Sequence, residues 1–106
     1  MQYYRKIMDL LSDYFKENDW QRYFLNGGCY WLADYLHHGI SGSVIMINRI
    51  EEYCALYFEG GLYDVTGRIS TKNYVIAGEK ELNFMKKNYI PQFDAHKVML
   101  YLGSNL

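Results

Sequence analysis

Residues 26–36 read NGGCYWLADYL, and this stretch decides how the chain folds. Two glycines form a tight turn that runs directly into an amphipathic helix, predicted from Cys29 to about His38 with Gly39 just after its end. Cys29 lies in the first turn of that helix, where free backbone N–H groups and the helix dipole favour a thiolate. The same N–H groups can stabilise an oxyanion, so the pattern is typical of a nucleophilic cysteine.

The chain has 106 residues and is predicted to form a single domain, residues 1–106. Half of the residues are hydrophobic, which is enough to build a core and argues against disorder. Eleven basic and twelve acidic residues leave a net charge of −1. Because this charge creates no strong field, we expect neither direct nucleic-acid binding nor attraction to an anionic membrane.

Cellular location is predicted from what the chain begins with and from its cysteines. The first residues open into a helical pattern without the apolar segment of a signal peptide, and no apolar run is long enough to span a bilayer. The two cysteines, Cys29 and Cys54, do not make a disulfide framework. We therefore expect a reduced, cytoplasmic protein that does not associate with membranes.

Tyrosine is the most unusual feature of the composition, with 12 residues. A tyrosine ring combines apolar area with a polar tip, which suits a surface that binds another protein. The alternative is that these tyrosines fill half-buried positions of an ordinary small domain. The composition leaves both interpretations open, and it also allows a homodimer.

Hydrophobic periodicity predicts helices before and after a small sheet along the chain, and the fold class is α+β with helices packed on an antiparallel sheet. The predicted helices cover residues 3–17, 29–38 and 79–88, and the predicted strands cover 44–48, 53–58 and 62–66, with a short extended piece at 73–76. Residues 59–61, Glu-Gly-Gly, indicate a hairpin turn, and Gly67 is expected to close the third strand. Residues 93–102 are predicted as a final helix or strand, with helix preferred, that ends at Gly103.

Two motifs, NGGCYWLADYL at 26–36 and YCALYFEGGLYDVTG at 53–67, occur in this order along the chain. Together they resemble a minimal papain-like cysteine-hydrolase core. Similar small proteins of phages and bacteria carry a Gly-x-Cys-Tyr helix, then a strand that starts with His, then a Tyr-Asp-[Ile/Val]-[Thr/Ser]-Gly strand. The resemblance implies that the cysteine is the nucleophile, the strand histidine its base and the aspartate the group that orients the base.

Carried over onto this chain, the resemblance places Cys29 at the nucleophile, Asp64 at the orienting carboxylate and Tyr53 at the base. The hairpin supports this alignment, because a two-residue turn that pairs Phe58 with Gly61 puts Tyr53 diagonal to Asp64. A tyrosine pKa is about 10 and a nearby carboxylate raises it, so Tyr53 cannot take the thiol proton near neutral pH. We therefore expect a vestigial triad in which the Tyr53 hydroxyl donates to Asp64.

The three histidines are the remaining candidates for a base. His37 and His38 lie eight and nine residues along the same helix as Cys29, roughly 12 Å or more away, and are expected to be solvated. His96 is the one open route to a relocated base. The spacing of cysteines and histidines does not match a zinc site, and the glycines do not match a phosphate loop, so neither a metal nor a cofactor is expected.

The function that follows is a protein-binding module, not an enzyme, on a catalytically degenerate papain-like fold. Its resemblance to small phage and mobile-element proteins implies an inhibitor of a host defence system, of the anti-CRISPR class, that acts on a bacterial protein in the host cytosol. The alternative is an active cysteine hydrolase or acyltransferase that uses Cys29 with His96 as a relocated base.

Overall fold

The computed structural model describes all 106 residues, and its helices lie before and after a five-stranded sheet. In chain order the elements are α1 (Gln2–Phe15), α2 (Arg22–Leu25), α3 (Cys29–Gly39), β1 (Val44–Asn48), β2 (Tyr53–Phe58), β3 (Gly61–Asp64), β4 (Gly67–Ile69), β5 (Tyr74–Ile76), α4 (Glu79–Asn88) and α5 (Ala95–Asn105). The strand order is β4-β3-β2-β1-β5, and every pairing is antiparallel. The predicted α+β class is confirmed. None of the five helices combines the length and the hydrophobicity that a membrane span requires.

The β2–β3 hairpin has the predicted register. Phe58 pairs with Gly61 across a two-residue turn, and both turn residues, Glu59 and Gly60, have positive φ angles of 48° and 78°. Two central residues with positive φ match the right-handed twist of the flanking strands, which is why this turn type is favoured in tight hairpins.

The third strand ends earlier than predicted, and Gly67 opens a further strand. β3 stops at Asp64, whose carboxylate accepts a hydrogen bond from the Thr66 N–H at 2.8 Å and from the Thr66 hydroxyl at 2.5 Å. Gly67 follows with φ at 113°, in the region that favours glycine, and β4 folds back along β3. The expectation that Gly67 closes the strand is therefore wrong, because the aspartate side chain turns the chain first.

Three helix ends also differ from the prediction. α1 ends at Phe15 because Lys16 takes a left-handed conformation. Gly39 lies inside α3, not after it, and its missing side chain leaves room for the ring of Tyr3, which a Cβ would approach to 2.4 Å. The final segment is a helix, as preferred, but it continues through the exposed Gly103 to Asn105. A glycine in open space weakens a helix without ending it.

The helices cover one face of the sheet. Side chains of β1 and β2 that point to this face are directly paired, Ile45 with Leu56 and Ile47 with Cys54, and all four are buried. They form one core with helical residues that include Ile7, Leu11, Phe24, Leu32, Ala33, Leu36, Met85, Val98 and Leu102. α3 makes the main contacts between helices and strands, so the residue that begins α3 is placed directly against β2.

The opposite face of the sheet is apolar and partly open. We call Val44, Met46, Tyr57, Ile69 and Ile76 the open sheet face, because Val44 pairs with Tyr57 and Met46 with Ile76, each pair on the same side of the sheet. None of these side chains belongs to the core that the helices build. Ile76 is 68% exposed and Tyr57 is 37% exposed, so this face presents apolar surface to solvent.

Candidate functional site

The glycine turn brings the start of α3 close to α2. Gly27 has φ at 99°, in the left-handed region, and Gly28 packs so tightly that a Cβ would lie 2.3 Å from the carbonyl oxygen of Tyr23. Only glycine fits the second position without a shift of the backbone. This close approach places Cys29 at the first position of α3, as the sequence predicts.

Cys29 is almost fully buried, with 5% of its surface exposed. It nevertheless lines an open pocket of about 480 Å³, whose walls are the glycine turn, the connection between β1 and β2, and the segment that follows α4. Cys29 therefore forms part of the wall of a pocket that a small molecule can enter.

The hydrogen-bonding partner of the Cys29 thiol is Cys54. The backbone N–H of Cys54 donates to Sγ of Cys29 at 3.4 Å, and both residues are buried and not disulfide-bonded. The neighbouring Cys54 thiol and the backbone N–H groups of Cys54, Tyr30 and Cys29 lower the pKa of Cys29 against the opposing effect of burial. The same contact with Cys29 raises the pKa of Cys54. The sequence analysis did not predict this contact. In the structure, Cys54 pairs with Ile47 of β1, so the two side chains point to the same, core-facing side of the sheet.

Tyr53 and Asp64 form a separate pair. The Tyr53 hydroxyl donates to Oδ2 of Asp64 at 2.9 Å, so the predicted hydrogen bond is confirmed. Burial, and then the charge of Asp64, raise the pKa of Tyr53. The other carboxylate oxygen of Asp64 accepts both hydrogen bonds from Thr66. Asp64 is thus held by three donors of the protein itself.

The three positions of the predicted triad surround one small cavity between α3 and the β2–β3 hairpin. Cys29, Tyr53 and Asp64 all line it, but its volume is about 10 Å³, enough for one water molecule at most. Tyr53 and Cys54 are neighbours in β2, so their side chains leave the strand on opposite faces. Asp64 accepts a hydrogen bond from the Tyr53 hydroxyl, whereas Cys29 accepts one from the backbone N–H of Cys54. The assigned roles of nucleophile, base and orienting group stay predictions.

None of the three histidines is hydrogen-bonded to Cys29. His37 Nδ1 lies 2.9 Å from the Ser43 hydroxyl, and His38 Nδ1 lies 2.7 Å from the Asp34 carbonyl oxygen. His96 is exposed on α5, a helix that packs on α1, and it lines neither of the cavities that Cys29 lines. The structure therefore does not bring an imidazole to the thiol. It also has no group of three or more His, Cys, Asp or Glu side chains arranged to hold a metal ion.

One comparison with known proteins identifies a family that this sequence matches. A family model described as phage YunG-like protein matches residues 7–103. The match includes the glycine turn, α3, all five strands and every residue predicted for the site. No curated protein and no solved structure matches the chain.

Proposed function

The chain belongs to the phage YunG-like family, and we propose that it is a non-catalytic protein-binding module on a degenerate papain-like fold. The observation that carries this proposal is the hydrogen bond from Tyr53 to Asp64, at the position where the resemblance implies a histidine base. Because burial and the Asp64 charge raise the pKa of Tyr53, its hydroxyl stays protonated at neutral pH. A general base must accept a proton near the operating pH, and Tyr53 does not.

The open sheet face is the surface that we assign to the partner. Protein interfaces combine exposed apolar side chains with tyrosine, and this face offers Tyr57 beside Val44, Met46 and Ile76. It lies on the side of the sheet away from α3 and Cys29. Binding there would leave the buried thiol untouched, so the proposal separates the partner surface from Cys29.

Membership of a phage family supports a role during infection of a bacterium. A net charge of −1 offers no field for nucleic acid, which favours a protein target. We assign the protein to the inhibitors of host defence systems, of the anti-CRISPR class, acting in the cytosol of the host. This assignment rests on the family and on analogy between small phage proteins.

The test is capture of a partner from a defence-proficient bacterial lysate, combined with phage plaque counts on the same host. Ile76→Lys puts a charge on the open sheet face at a residue that is 68% exposed, and Leu100→Lys is the matched control on α5, where Leu100 is 57% exposed. The proposal predicts that the wild type and Leu100→Lys capture the same protein and raise plaque counts, whereas Ile76→Lys does neither. A wild-type protein that is recovered alone and leaves plaque counts unchanged contradicts it.

The alternative function is a cysteine hydrolase or acyltransferase that uses Cys29. The lowered pKa of Cys29 in an open pocket favours it, because a thiolate is the nucleophile of such enzymes. It lacks the histidine that such enzymes use as general base and acid, since no histidine is hydrogen-bonded to the thiol. Turnover of ester or amide substrates that disappears in Cys29→Ala would establish the alternative. In Tyr53→His, the vestigial-triad hypothesis predicts faster alkylation of Cys29 at neutral pH.

A further inference from the structure

We propose that Cys29 and Cys54 form a peroxide-oxidisable thiol pair, in which oxidation of Cys29 is followed by a disulfide to Cys54. Two observations on the geometry carry this proposal. The Cys54 N–H donates to Sγ of Cys29 at 3.4 Å, so the two residues are in direct contact although 25 positions apart. Both are free cysteines. The hydrogen bond holds Cys29, the first residue of α3, against Cys54, the second residue of β2.

The second observation is that the two thiols differ in access. Cys29 lines the open pocket of about 480 Å³, whereas Cys54 does not line it and is only 1% exposed. A hydroperoxide as small as hydrogen peroxide can reach Cys29 through this pocket, whereas Cys54 lies behind Cys29 and outside the pocket lining. Cys29 is therefore the sulfur that meets the oxidant, and Cys54 is the resolving thiol.

The chemistry is a two-electron oxidation in two steps. The Cys29 thiolate attacks hydrogen peroxide, so an S–O bond forms, the O–O bond breaks and hydroxide leaves; Cys29 becomes a sulfenic acid and the peroxide is reduced. The Cys54 thiol then attacks the Cys29 sulfur, so the S–S bond forms, the S–O bond breaks and water leaves. In total, two thiols and one hydrogen peroxide give one disulfide and two water molecules.

The surroundings of the pair favour this order of events. The neighbouring Cys54 thiol and three backbone N–H groups lower the pKa of Cys29, which raises the fraction of thiolate at neutral pH. Contact with Cys29 raises the pKa of Cys54, which keeps it a thiol until the sulfenic acid forms. The resulting disulfide would join α3 to β2 within the core and does not depend on the partner surface.

The experiment treats the reduced full-length protein with hydrogen peroxide at pH 7 and maps its peptides by mass spectrometry without reduction. The expected result is a monomer that has lost two hydrogen atoms, with Cys29 linked to Cys54 in one crosslinked peptide. In Cys54→Ser, Cys29 is expected to stop at the sulfenic acid, which dimedone traps. In Cys29→Ser, Cys54 is expected to remain a thiol.

Peptide mapping of the wild type keeps the test valid if a cysteine variant fails to fold, because it needs no substitution. Two free thiols after treatment, over-oxidation of Cys29 to a sulfinic acid in the wild type, or disulfides only between chains would each overturn the proposal. Thermal melts of oxidised and reduced wild type provide a second readout, since an intramolecular disulfide is expected to raise the melting temperature.

Discussion

Removing the Tyr53 hydroxyl tests whether its hydrogen bond to Asp64 stabilises the fold. Tyr53→Phe leaves the ring and deletes the hydrogen bond of 2.9 Å to Oδ2 of Asp64. A hydrogen bond to a charged group contributes about 1.5–3 kcal/mol, and because Asp64 is only half-buried and keeps its bonds from Thr66, we expect a loss of about 1–2 kcal/mol. For a domain of this size that corresponds to a melting temperature lower by roughly 4–8 °C.

The assay is urea unfolding followed by circular dichroism, with Tyr57→Phe as the control. Tyr57 lies on the same strand and the same face as Tyr53, but its hydroxyl has no hydrogen-bond partner in the protein, so its variant is expected to change stability by less than about 0.5 kcal/mol. Equal stabilities of the two variants would refute the view that the Tyr53–Asp64 pair is a structural hydrogen bond.

Three further substitutions change the thiol pair, the Arg49–Glu81 ion pair and the glycine turn before α3. In Cys54→Ala the alkylation rate of Cys29 should rise at a higher pH than in the wild type, because the Cys54 thiol is the largest cause of the lowered pKa; iodoacetamide kinetics against pH measure this. The Arg49 guanidinium lowers the pKa of Glu81 to about 2, so this contact stabilises the fold above the unfolded pKa of about 4.5 and is lost as pH falls towards 2. Glu81→Gln should therefore flatten the loss of stability between these pH values in urea titrations. Gly28→Ala should lower the free energy of unfolding by roughly 1–3 kcal/mol, because its Cβ meets a backbone carbonyl oxygen at 2.3 Å.

Each of these has a result that would contradict it. An unchanged pH midpoint in Cys54→Ala would mean that the backbone N–H groups of Cys54, Tyr30 and Cys29, which the variant keeps, lower the pKa of Cys29 without the Cys54 thiol. If the free energy of unfolding falls with pH in the same way for Glu81→Gln and the wild type, the contact between Arg49 and Glu81 is not the cause of that fall. Gly103→Ala is the control for Gly28→Ala, because nothing lies within 4 Å of its added Cβ and alanine favours a helix, so stability should stay equal or rise.

The parts of the fold that depend on local chemistry could be predicted from the sequence. The β2–β3 register follows from a two-residue turn at Glu59-Gly60, and it correctly placed the Tyr53 hydroxyl beside Asp64. β4 was missed because Asp64 uses its side chain to turn the chain at Thr66, which no hydrophobic period signals.

Contacts between distant elements could not be predicted in this way. The contact between Cys29 and Cys54 depends on which face of the sheet α3 covers, and the alternation within β2 gives two faces without saying which one is covered. The position of His96 depends on how α5 packs against α1, and this packing is not encoded in the local sequence pattern. Sequence alone therefore left both the partner of the thiol and the distance of its last possible base undetermined.

In the function proposed above, the protein works by binding through the open sheet face and not by catalysis at Cys29. The most direct measurement is the phage plaque count on a defence-proficient host that expresses either Cys29→Ala or Ile76→Lys, each shown to be folded. We expect wild-type plaque counts with Cys29→Ala, and with Ile76→Lys the low counts of a host that expresses no inhibitor. Loss of the effect in Cys29→Ala, with Ile76→Lys equal to the wild type, would contradict it.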